Sequence, residues 1–228
     1  MQTVILIPTF GRKSRVERLC VNLSETSDSY ALYFIVEAFD RETIQEVERC
    51  AARMIINPGP PTYASCINVA FFQTDEPFLF TRADDLRFSP NWLCAARETM
   101  TRDAPIGVVG TFDPIHPLWD HSTHSLIRRT YIEDHGGSFD RDTVLFPYRH
   151  AYTDHELLGV AKARKRYRFC KDSIVEHLHP GWDRLGRSRS DTETFDETYA
   201  KNNVHHLQDV ETFVERAQQW MPLVTERT

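Results

Sequence analysis

Apolar and polar positions divide the chain into two halves of different texture. In the first half, short β-branched runs alternate with stretches of helical spacing. "TVILIP" (3–8) ends in proline and a turn, which predicts a buried strand followed by a loop. "KSRVERLCVNLSE" (13–25) then spaces Val16, Leu19, Cys20 and Leu23 as one face of a helix. The alternation continues with a strand at 30–38, a helix at 41–54 and a short strand at 54–59. It continues further with a helix at 63–74, a strand at 77–83, a helix at 89–100 opened by Ser89-Pro90, and a strand at 105–113. Five such alternations predict an α/β fold, a mostly parallel sheet flanked by helices. In such sheets ligands bind at the carboxyl ends of the strands. Pro8-Thr9, Glu37 and the pair Asp84-Asp85 all fall at such ends.

The second half has a weaker period and more His, Arg, Tyr and Trp. "HSLIRRTYIEDHGG" (124–137) predicts a strand and then a helical turn stopped by glycine. A helix follows from residue 153, running into a strand at 169–180. Residues 181–194 lack an apolar period and predict a mobile loop, and 207–220 predict a last amphipathic helix. Residues 1–113 are expected to form the ligand-binding α/β half. Residues 114–228 form an elaboration on the acceptor side, all within one compact domain.

Composition narrows the class. A chain of 228 residues can bury a sizeable core without disulfides or a structural metal. The five cysteines, Cys20, Cys50, Cys66, Cys94 and Cys170, are scattered, odd in number and lack a CxxC pair. They fit reduced thiols in a cytoplasmic protein. No membrane span and no signal peptide are expected. A net charge of −6 excludes a protein that seeks polyanions with its whole surface.

The candidate chemistry lies at four places. Two adjacent carboxylates, Asp84 and Asp85, repel each other and need compensation. A hard divalent cation such as Mg²⁺ or Mn²⁺ suits them, as does a simple turn. Asp154 and Glu156 open a helix. Thr153-x-x-Glu156 reads as a capping box, while one of the two carboxylates can serve as a general base. His177 and His179 alternate on a strand and share a face, so one neutral imidazole can complete a coordination begun by Asp85. The run "KARKRYRFCK" (162–171) reads first as a solvated face and second as a phosphate patch, to which Arg184, Arg187 and Arg189 would add. Trp119 and Trp182, in irregular polar segments, suit stacking on sugars.

In this order the motifs resemble those of the GT-A nucleotide-sugar glycosyltransferases, in particular small family-2-like members of phage and bacterial genomes. "VILIPTFGR" resembles their first strand and loop, which implies that Pro8, Thr9, Gly11 and Arg12 hold the nucleoside. "FIVEA" places Glu37 near the base or ribose, and "YASCINVAF" places Tyr63 and Asn68 toward the nucleotide. "ADDLRFSPNWL" is similar to the DxD region, with Asp85 as the metal ligand and Asp84 contacting ribose or a metal-bound water. Ala83 stands where that motif expects its first acid. "YTDHELL" resembles the late acidic motif, which makes Asp154 or Glu156 the base, and "VEHLHP" the histidine-bearing strand.

The resemblance implies a Rossmann-like GT-A fold and Mn²⁺ or Mg²⁺ as cofactor. It implies a UDP-sugar or another nucleoside-diphosphate sugar as donor, from which a hexosyl or pentosyl group moves with inversion. The acceptor is a saccharide, a protein hydroxyl or a hydroxymethylated base in DNA, and the host cytoplasm would be the location of a phage enzyme. Two other functions compete: a sugar-nucleotide nucleotidyltransferase, and a non-catalytic nucleotide-sugar-binding protein on a degenerate transferase fold.

Overall fold

A computed structural model describes residues 2–26, 28–102, 105–114, 122–140, 144–180, 197, 200 and 206–225. The first half runs β1 (Thr3–Pro8), α1 (Lys13–Ser24), β2 (Ala31–Glu37), α2 (Arg41–Arg49), β3 (Arg53–Asn57) and α3 (Tyr63–Phe72). It continues with β4 (Phe78–Thr81), β5 (Leu86–Phe88), α4 (Trp92–Arg102) and β6 (Val108–Phe112). The second half adds β7 (Ser125–Arg128), α5 (Arg129–His135), α6 (Thr153–Ala163), β8 (Tyr167–His177) and α7 (His206–Thr225). Residues 181–194, Trp119, Trp182, Arg184, Arg187 and Arg189, singled out in the sequence, lie outside the described residues.

All eight strands join one sheet in the order β3-β2-β1-β4-β7-β6-β8-β5. The four strands from β3 to β4 are mutually parallel. The other side is mixed: β7 runs antiparallel to both β4 and β6, while β6 and β8 are parallel. The fifth strand of the predicted alternation, β6, therefore does not neighbour β4, because β7 from the second half inserts between them. Both halves of the chain build the same sheet.

Period-two alternation explains why the strands read as continuous apolar runs. Ile5 and Ile7 of β1, with Phe34, Val36, Phe78 and Phe80, face a core closed by α1, α2 and α4. Val4 and Leu6, with Ile35 and Leu79, face a second core closed by α3, α5 and α6. A sheet covered on both faces needs apolar residues at every position of its inner strands.

Several elements differ from the sequence reading. The second helix ends at Arg49 rather than at residue 54, because Ala51 turns left-handed (φ 51°) before β3. The fourth helix starts at Trp92, not at Ser89-Pro90: Ser89 N–H still donates to Ile174 O of β8 at 3.2 Å, and Asn91 has φ 61°. The three-residue β5 was not read at all, since so short a strand has no period to detect.

Below β5 an aromatic cluster fixes the chain. The Trp92 ring, fully buried, lies 4.5 Å from Phe80 and 4.6 Å from Phe88 between centroids. These two phenylalanines flank the Ala83-Asp84-Asp85 turn, so the turn is held at both ends by one tryptophan. A bulge in β8, where pairing steps from Thr111–Cys170 to Phe112–Ile174, redirects the strand past β6 toward β5.

The last helix docks on α6 through a close approach at glycine. A Cβ on Gly159 would lie 2.1 Å from the Trp220 ring, and Val160 and Ala217 complete this small core. Gly159→Leu is therefore expected to destabilise the fold by about 1–3 kcal/mol through overpacking. The measurement is urea unfolding, read as a lower midpoint. An unchanged midpoint would mean that α7 does not dock there.

Candidate active site

A cleft of about 310 Å³ runs along the carboxyl edge of β1, β2 and β4 and is closed by segments of the second half. Pro8, Thr9, Arg12, Glu37 and Tyr63 line it, as do Asp84, Asp85, Asp154, His177 and His179. Three expected site residues do not. Gly11 is exposed and makes the turn after β1 at φ 65°, its N–H donating to Asp40 Oδ2 at 2.7 Å. Asn68 points away from the cleft: its amide exchanges two 2.9 Å hydrogen bonds with the backbone of Leu145, which corrects its expected place beside a nucleotide. Glu156 is the third.

The two adjacent acids are compensated by different partners. Asp84 Oδ1 accepts from Arg15 Nη1 at 2.6 Å and from Arg12 Nη1 at 3.2 Å, and Oδ2 accepts from Thr9 Oγ1 at 2.7 Å. Arg18 Nη2 donates to the Asp84 carbonyl at 3.0 Å. Three arginines of the α1 segment thus bind one turn. They reach it because Arg12, Arg15 and Arg18 are spaced three apart and share a helix face.

Asp85 faces the other way, toward β8. The antiparallel β5–β8 ladder pairs Leu86 with His177, and Leu178 N–H donates to Asp85 O at 2.8 Å. This register brings Asp85 Oδ2 to 3.2 Å from His177 Nε2. His177 lies 5.2 Å from His179 and 5.2 Å from His124 between ring centroids, which makes a row of three imidazoles. Burial, and then the neighbouring His177, push the His179 pKa down to about 4, so it stays neutral near pH 7. Burial likewise pushes His124 well below its ordinary value, with Arg82 adding to it. A carboxylate beside an imidazole is a donor set that suits Mn²⁺ or Mg²⁺. Among the described residues no group of three or more His, Cys, Asp and Glu encloses a metal. These ions keep water and take phosphate oxygens, so an open pair fits them.

Glu37 is held by Asn57, whose Nδ2 donates to Oε1 at 2.8 Å. Asn57 also accepts from Gly59 N–H at 3.1 Å and donates to Pro60 O at 2.9 Å, which ties the end of β3 to the start of α3.

The two acids of α6 have separate tasks. Asp154 lines the cleft, with Arg82 Nη1 3.6 Å away and His155 Nδ1 at 3.1 Å. Burial opposes a charge on His155, but its hydrogen bond to Asp154 and the attraction of that carboxylate together outweigh burial and raise the pKa. Glu156 lies on the far side of the helix, 1% exposed. Its oxygens accept from Tyr148 OH at 2.7 Å, Phe139 N–H at 3.0 Å and Arg216 of α7 at 2.6 and 2.8 Å. The expected capping box is absent: Tyr152, with φ 69°, is the N-cap and makes no side-chain cap. Glu156 is spent on docking α7, which corrects its place as a candidate base.

Several functional side chains carried no sequence signal. Asp209 of α7, 2% exposed, accepts from the successive N–H groups of Arg149, His150 and Ala151 at 3.0, 2.7 and 2.8 Å. That carboxylate fixes the loop that forms the far wall of the cleft. Arg82 and Arg149 enter the cleft from places that read as a strand end and a loop. Half of the basic run is structural, while Lys165, Arg168 and Lys171 are exposed. Arg164 donates to Gly136 O at 2.8 Å and Ser138 O at 3.0 Å, Arg166 to Pro105 O at 3.1 Å, and Lys162 stands over the Tyr167 ring. Among the described residues no helix is long and apolar enough to cross a membrane.

No protein-family model and no curated protein sequence matches the chain. Solved structures match its fold. One is the glucosyl-3-phosphoglycerate synthase of Mycobacterium tuberculosis in complex with Mn²⁺, UDP and glucosyl-3-phosphoglycerate. It aligns at a TM-score of 0.63 and 14% identity over 82% of this chain and 75% of that one. The same synthase with Mg²⁺ and UDP gives 0.62 at 14% identity, over 82% and 74% of the two chains. A mannosyltransferase from Pyrobaculum calidifontis, in complex with GDP-Man and Mn²⁺, gives 0.59 at 16% identity over 81% of this chain and 59% of its own length. The architecture is that of the GT-A glycosyltransferases.

The different tasks of the two acids on α6 are separable by stability. Glu156→Ala strands the Tyr148 OH and the Phe139 N–H and leaves the half-buried Arg216 to the more exposed Asp140 carboxylate, 2.8 Å away, and is expected to cost about 3 kcal/mol in chemical denaturation. Asp154→Asn is expected to cost less than about 1 kcal/mol. Burial alone would raise the Glu156 pKa, but Arg216, Tyr148 and the Phe139 N–H lower it below 4.5. Its stabilisation is therefore full above that pH and is lost as pH falls through the lower, folded-state value. The stability gap between wild type and Glu156→Ala should close on acidification. A gap independent of pH would refute the ionised pair.

Proposed function

We propose that the chain is a metal-dependent glycosyltransferase that moves a sugar from a nucleoside-diphosphate sugar to an acceptor hydroxyl, with inversion at the anomeric carbon. The observation that carries this reading is a single cleft with the Asp85–His177 pair on one side and Asp154 on the other. The fold supports it, since the aligned synthase and mannosyltransferase are complexes with Mn²⁺ or Mg²⁺ and UDP or GDP-Man.

Thr9, Arg12, Glu37 and Tyr63 are the side chains that would hold the nucleotide, with Asp84 locking their loop in place. Asp85 with His177 would hold Mn²⁺ or Mg²⁺, with His179 as the neighbouring neutral imidazole. When bound, the cation offsets charge on the departing diphosphate. Asp154 takes the proton of the acceptor hydroxyl as its oxygen bonds to the anomeric carbon, and the bond to the diphosphate breaks with its electron pair. His155 and Arg82 orient the Asp154 carboxylate. One base and attack opposite the leaving group give inversion. The nucleotidyltransferase reading has less support: Arg12 and Arg15 of the first loop and helix are bound to Asp84 instead of presenting a cradle for a triphosphate. A DNA acceptor with hydroxymethylated bases loses one of its two supports, because Arg164 and Arg166 are spent on carbonyls. A phage or bacterial origin and a cytoplasmic site of action belong to the same proposal.

The test is a thermal-shift series with UDP, GDP and their sugars, with and without Mn²⁺. Wild type should gain a metal-dependent rise in melting temperature with one nucleotide, by mass action. Asp85→Ala should lose the metal dependence. Asp154→Asn should keep it while sugar transfer falls roughly 10²–10⁴-fold, the range for loss of a general base. A nucleotide response independent of metal would favour the non-catalytic binding protein, and no response at all would remove the proposal.

A further inference from the structure

The cations of the cleft are engaged to different degrees. Asp84 is bound to Arg12 and Arg15, and Asp85 stands against His177. Two further guanidinium groups, those of Arg82 and Arg149, line the same cleft as the Asp154 carboxylate. Arg82, its side chain 15% exposed, lies over the Tyr63 ring at 5.7 Å and is 3.6 Å from Asp154, too long for a good hydrogen bond. Its Nε is buried and donates to nothing described. Thr153 Oγ1, on the same small pocket behind Arg82, is also buried without a hydrogen bond among the described residues. Arg149 lines the cleft and is exposed, and no ion pair or side-chain hydrogen bond joins its guanidinium to a described residue. Its backbone is nonetheless rigid, since Asp209 pins residues 149–151.

A guanidinium presents planar donors that match a carboxylate or phosphate, and two of them lining the cleft that holds Asp154 have a consequence for the substrate. We propose that Arg82 and Arg149 form an oxyanion-binding subsite on the acceptor side, so that the acceptor is a small hydroxyl compound carrying a phosphate or carboxylate. This rests on the transferase reading of the cleft. The preorganised loop reduces the ordering cost of binding such a group. The net charge of −6 and the partly committed basic run favour a small anion over a polyanion.

The test is calorimetric titration of the full chain, with UDP and Mg²⁺ saturating, by inorganic phosphate and separately by acetate. Wild type should bind at least one of them. Arg149→Gln should weaken that binding roughly tenfold or more, the worth of a charge-assisted hydrogen bond, with UDP affinity unchanged, and Arg82→Gln should weaken it as well. Arg149 is exposed, so its variant will fold even if Arg82→Gln lowers the melting temperature. Four outcomes overturn the proposal: no binding of either anion; binding that both variants retain; loss of UDP affinity in parallel, which would put the donor diphosphate on these arginines; or tighter, arginine-dependent binding of a DNA duplex. Phosphate bound through Arg149 by a protein that ignores UDP would instead leave the subsite standing and remove the transferase reading.

Discussion

The Asp84 carboxylate, 2% exposed, is held by Arg15, Arg12 and Thr9. Burying a charge is costly unless it is paired and hydrogen-bonded, and removal of one partner leaves the others stranded. The clamp joins the loop after β1 and helix α1 to the turn after β4, segments some seventy residues apart in the chain. Both strands end at the cleft. With the clamp formed, the nucleotide-side wall and the acidic turn keep a fixed separation. The pair of acids that seemed unfavourable in the sequence is in this respect a staple, and only its second member faces the histidines at the end of β8.

That division depends on where the bend between β4 and β5 lies. Asp84, in the bend, turns toward α1, while Asp85, directly before β5, turns toward β8. The short β5 then continues the separation, since its antiparallel register with β8 sets His177 against Asp85. The bulge in β8 and the Trp92 cluster below it keep this register from slipping.

Much of this was legible in the chain, and the parts that were not share a physical cause. The α/β alternation, the edge on which Thr9, Glu37 and Asp85 meet, and the shared face of His177 and His179 follow from local period and strand ends. Asp154 was legible as an acid at the start of a helix, but so was Glu156, and no local rule separates them. Their separation depends on α7, which arrives from sixty residues away to bind Glu156. Asn68 was misplaced for the same reason, since its partner is the backbone of Leu145 across the fold. Asp209, Arg82 and Arg149 left no local trace, because their meaning lies only in where the chain folds back. The basic run carried a strong local signal, part of which the structure spends on carbonyl groups through Arg164 and Arg166.

The docking of α7 has a consequence for modularity. Through Asp209 and Arg216 this one helix holds both the backbone of the far wall and the helix that bears Asp154. This wall of the cleft is therefore not a loop set on a finished scaffold but the inner surface of a helix pair. Exchange of the wall between related chains would have to carry α6, its preceding loop and α7 together as one cassette. A graft of the loop alone would arrive without the carboxylate that shapes it.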